Sequence, residues 1–109
     1  MSQLTQLIEK VKEEGLSKDL LEQYHTQITY LDNLMRMELA PLEKEEALFM
    51  GGEFRKFISP HQKELPSVAQ LKVWWKSTAS GQRQIELNHY LKITPKLLQS
   101  IKTRLYSIY

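Results

Sequence analysis

From residue 18 to residue 39, large apolar side chains recur at alternating intervals of three and four. Leu21, Tyr24, Ile28, Leu31 and Met35 carry the pattern. On an α-helix these positions share one face, whereas a strand would divide them between two faces. The stripe therefore calls for a helix, and for something apolar to cover it. Leu4, Leu7, Ile8 and Val11 repeat the spacing over residues 3–14, and no alternating β-branched run stands anywhere in the chain. The expected fold class is all-α, with an N-terminal amphipathic helical hairpin and a basic C-terminal helical unit.

Local signals divide this pattern. Gly15 is placed to stop the first helix, and Ser17 with Asp19 to start the second. The second helix is expected from Lys18 to about Leu39, because Pro41 interrupts it or opens another helix. Gly51-Gly52 marks a break. Residues 53–66, with Phe54, Phe57, Ile58, Pro60 and Pro66, read as a loop holding one helical turn. Ser67 then caps a helix through about Thr78 that carries Leu71, Trp74 and Trp75. Adjacent helical residues point about 100° apart, so one tryptophan is expected in the core and the other partly exposed. The resulting division is 1–50 for packing or dimerisation, 51–66 as linker and 67–109 as a basic unit. Two heptads in Leu21–Met35 are too few for a long coiled coil, which leaves a choice between the chain's own core and a dimer or partner interface.

Charge is distributed unevenly. Residues 1–53 hold five Lys and Arg against eleven acids; residues 54–109 hold ten against two, Glu64 and Glu86. The whole-chain net of +2 conceals this. A basic C-terminal half points to an anionic partner, of which nucleic acid is the commonest. The acidic half could pair with it, keep the helices soluble, or occupy a basic groove on another protein. There is no cysteine, so disulfides and thiolate metal sites are excluded. His25, His61 and His89 lack metal-ligand spacing, and neither a phosphate loop nor a catalytic triad order is present. No cofactor and no enzymatic activity are expected. The N-terminus lacks a secretory pattern and no apolar run reaches about 20 residues, so a cytoplasmic protein without a membrane partner is expected.

Residues 84–104 concentrate the candidate chemistry. Gln84 is followed by Leu87, Leu91, Ile93, Leu98 and Ile101, with Thr94 before Pro95. This arrangement resembles the helix-turn-helix of the phage repressor and Cro class, in which a Gln opens the first helix and apolar residues at these spacings join two helices. The class prefers a small residue where Asn88 stands and glycine where Lys92 stands. The resemblance implies a second helix in the major groove, with Lys96, Gln99, Ser100 and Thr103 toward the bases and Arg83, Lys92, Lys102 and Arg104 toward phosphates. One continuous amphipathic helix from Gln82 to Tyr106 accounts for the same apolar residues, but it must place Pro95 in a helix interior at about 3 kcal/mol.

The function expected is a non-enzymatic DNA-binding protein of a phage or mobile element, with a homodimer built on Leu21–Met35. The alternative is a small helical inhibitor or adaptor that binds a host or phage enzyme. A third possibility is a subunit of a nucleoprotein assembly that contacts backbone without reading sequence.

Overall fold

The computed structural model describes residues 2–58 and 64–108, without the side chains of Ser2, Phe57 and Ile108. Pro60 and His61 lie outside the described residues. Among the described residues four α-helices follow one another: α1 (Ser2–Val11), α2 (Lys18–Gly51), α3 (Val68–Ser77) and α4 (Ala79–Ile108), with a 3₁₀ helix at Glu53–Phe57. The fold is all-α, and no strand occurs among the described residues.

The expected caps are in place. Gly15 adopts a φ of 72°, a left-handed conformation that glycine reaches without a Cβ clash. The Leu20 N–H donates to Ser17 Oγ at 3.2 Å. Ser67 forms a reciprocal capping box with Gln70: the Gln70 N–H donates to Ser67 Oγ at 3.2 Å, and the Ser67 N–H to Gln70 Oε1 at 3.1 Å. Gly81 lies where α4 turns tightly against α3. A Cβ there would sit 1.9 Å from the Trp75 carbonyl oxygen.

Two expected helix ends are absent. Helix α2 runs 34 residues and passes through Pro41 instead of stopping near Leu39. Helix α4 runs 30 residues and passes through Pro95. Residues 84–104 are therefore one continuous helical stretch, not the helix pair that the repressor-class resemblance implies. Among the described residues no non-glycine has positive φ, so Lys92 is helical where that class would make a left-handed turn.

The chain separates into two compact units, Met1–Arg36 with His89–Tyr109, and Met37–Asn88. These replace the expected division at 51–66. In the first unit Leu4, Leu7, Val11, Leu21, Ile28, Leu31, Met35, Leu91 and Ile101 are buried. Four members of the expected pairing stripe, Leu21, Ile28, Leu31 and Met35, are thus the chain's own core, and Tyr24 is half-buried. A dimer surface cannot be made from side chains already covered. In the second unit Phe49, Phe54, Leu71 and Trp75 form a buried cluster against Met50, Ile58 and Trp74. The Phe49 and Trp75 rings lie 5.6 Å apart at 48°. As the helical offset requires, Trp75 is buried and Trp74 half-buried.

Candidate nucleic-acid interface

The eight residues singled out for nucleic acid occupy three separate places. Lys92, Lys96, Gln99 and Thr103 follow a four-three-four spacing on α4 and share one exposed face with Ser100. Lys96, Gln99, Ser100 and Thr103 line an open depression of about 570 Å³, together with Pro95 and Arg104. From Leu87 to the end of α4 there is no acidic residue. Phosphate oxygens approaching this face would meet two ammonium groups, a carboxamide and the Ser100 hydroxyl, and Glu86, six residues before Lys92, is the one acid of α4. The Thr103 hydroxyl donates to the Gln99 carbonyl at 2.9 Å, which commits its proton and leaves it no donor for a phosphate oxygen.

Lys102 stands elsewhere, on a groove with Glu22, His25, Thr26 and Leu105. Arg104 has a structural task. Its guanidinium donates to the Val11 carbonyl and, at 2.5 Å, to the Glu13 carbonyl. These carbonyls close the C-terminal end of α1, where backbone acceptors lack helical donors and the dipole favours a cation. Arg104 is therefore withdrawn from the set of phosphate contacts.

Arg83 belongs to the second unit and is withdrawn as well. Its Nε and one terminal nitrogen donate to the two Glu38 oxygens, both at 2.7 Å, and the other terminal nitrogen lies 3.0 Å from Glu86 Oε1. The Arg83 hydrogen bond lowers the Glu38 carboxyl below its ordinary value; partial burial opposes this and the Arg83 charge reinforces it. The Glu38 hydrogen bond raises the Arg83 guanidinium in return. No local spacing announces this pair, because its partners stand 45 residues apart.

Sequence spacing also misses the polar link inside the first unit. The buried Thr94 hydroxyl donates to Asp32 Oδ1 at 2.5 Å, and Arg36 Nε donates to Asp32 Oδ2 at 2.8 Å. The Asp32–Arg36 half was visible as an i,i+4 pair of opposite charge. The Thr94 half was not, since a threonine before proline reads first as a helix cap.

Among the described residues no group of three His, Asp or Glu could hold a metal ion. Nor is any helix there long and apolar enough to cross a membrane. Trp74 is half-buried in the second unit, with Lys72 and Lys76 exposed beside it. No protein-family model, no curated protein sequence and no solved structure matches this chain.

Proposed function

We propose that the protein is a non-enzymatic DNA-binding protein that contacts the duplex backbone through the exposed face of α4. One observation carries this reading: Lys92, Lys96, Gln99, Ser100 and Thr103 converge on a face of a helix that holds no acid beyond Glu86. A single helix can lie along a groove and meet phosphates without a helix-turn-helix, but phosphate contact alone carries no sequence information. The protein accordingly binds duplexes of any sequence with similar strength.

Fluorescence anisotropy with a random-sequence duplex at low and moderate salt tests this. Lys92→Glu with Lys96→Glu should remove binding and leave the melting temperature unchanged, because both side chains are exposed. Wild-type binding that survives the double exchange would refute the assignment to α4.

A helical adaptor or inhibitor is the second reading, supported by apolar side chains left in solvent. In the second unit Met37 is 71% exposed, Val73 65% and Leu48 52%. Such side chains are common singly and gain meaning when they gather. Capture of a partner by the wild type that Met37→Glu abolishes would favour this reading over DNA.

A further inference from the structure

We propose that the cleft between α1 and α2 is a nucleotide site, which takes a base and a phosphate from a free nucleotide or from a strand end. The cleft measures about 360 Å³, within the range of small-molecule sites. Its floor is apolar, formed by the buried Leu7 and Leu31. Its rim is polar. Gln3, Gln6 and Lys10 come from α1, and Gln27 and Tyr30 from α2. Gln3, Gln6 and Lys10 each precede a residue of the buried Leu4, Leu7 and Val11 series, so the packing of α1 itself carries them to the edge of the cleft.

Each rim group matches one part of a nucleotide. A carboxamide offers a donor and an acceptor side by side, the pairing that reads adenine. Among the described residues no side-chain hydrogen bond engages Gln3, Gln6 or Gln27, so their capacity is open to a ligand. The Tyr30 ring is 63% exposed and presents a face on which a base can stack. Lys10 supplies the cation for a phosphate, and among the described residues no carboxylate lines the cleft to oppose it. An inorganic anion would use Lys10 alone and leave the carboxamides and ring unengaged. The site shares no residue with the α4 face, so either can fail while the other stands.

Amide-resolved NMR of the full chain, titrated with AMP, adenosine and inorganic phosphate, tests the proposal. AMP should shift resonances of α1 and of residues 23–34, and phosphate alone should not. Lys10→Gln should weaken AMP roughly tenfold, the loss of one charge-assisted hydrogen bond, and leave adenosine unaffected. Tyr30→Ala should weaken both by roughly tenfold through lost stacking. Gln27→Glu, which places a carboxylate at the rim, is an independent variant expected to repel AMP. A 5′-phosphorylated single strand and its unphosphorylated counterpart separate the two sources. If only the phosphorylated strand reproduces the AMP shifts, the ligand is a strand end; if neither does, it is a free nucleotide. The proposal is overturned if neither AMP nor the strand shifts these resonances, if the shifts fall on residues 92–103, or if the Lys10 and Tyr30 variants titrate like the wild type.

Discussion

Thr94 shows how one side chain can reverse its local signal. As a residue before proline it is disfavoured in helical geometry, yet it is helical and fully buried because its hydroxyl satisfies Asp32. A buried carboxylate oxygen without a donor costs about 1–3 kcal/mol. Thr94→Val keeps the shape and removes the donor, so chemical denaturation should show a loss of about 1–3 kcal/mol, while Thr94→Ser should retain most of the stability. Glu38 makes a smaller contribution with a definite pH signature. Its folded-state pKa lies below the ordinary 4.5, so the stabilisation from Arg83 is complete above that value and disappears as pH falls through the lowered one. The side chains of Arg83 and Glu38 are 32% and 45% exposed, which holds the contribution under about 1 kcal/mol. Urea midpoints followed downward from pH 6 should therefore fall more for wild type than for Glu38→Gln. Equal pH profiles would mean that the pair adds nothing measurable.

At the level of elements, the caps and the buried faces were legible and the long-helix continuity was not. Ser17, Ser67, Gly15 and the Gly51-Gly52 break announce themselves through their own backbone chemistry, which is local. Pro41 and Pro95 also send local signals, and these are outweighed. An interior proline costs about 3 kcal/mol, and burying one large apolar side chain returns about 1.5–3 kcal/mol. Beyond Pro95, α4 places the buried Ile101 and the half-buried Leu98 in the first unit; beyond Pro41, α2 brings Phe49 and the half-buried Met50 to the second unit's core. Two such side chains are enough to keep each helix going. The candidate face on α4 was legible from spacing, because Lys96, Gln99, Ser100 and Thr103 keep their common side whether the helix begins at Pro95 or runs through it. Pro95→Ala distinguishes these geometries in solution. Within a helix it restores the N–H that the Leu91 carbonyl lacks and should stabilise by about 1–3 kcal/mol. At the first position of a separate helix the same exchange would be neutral or slightly unfavourable, since proline is favoured there. Thermal melting of this one variant decides between them.

Across the whole molecule, the charge split seen along the sequence does not survive folding. The unit formed by residues 1–36 and 89–109 contains eight Lys and Arg against six acids, and the unit formed by 37–88 contains seven against seven. The acidic beginning and the basic end of the chain share one unit, a pairing that halves drawn along the sequence cannot reveal. With Arg104 held on α1 carbonyls and Arg83 on Glu38, the α4 face presents two cations, Lys92 and Lys96. Each phosphate neutralised contributes roughly −0.9 to the slope of log K against log salt, so one chain contacting DNA through this face should give a slope of about −2. That is shallow for a duplex-binding protein and implies weak binding by a single chain. Anisotropy titrations over a salt series measure the slope directly. Lys92→Gln should reduce its magnitude by about 1, and Lys102→Gln, on a different groove, should leave it unchanged. A wild-type slope of about −5 or steeper would require cations beyond this face, from the exposed Lys72 and Lys76 of the second unit or from another copy of the chain, and would move the duplex contact away from α4.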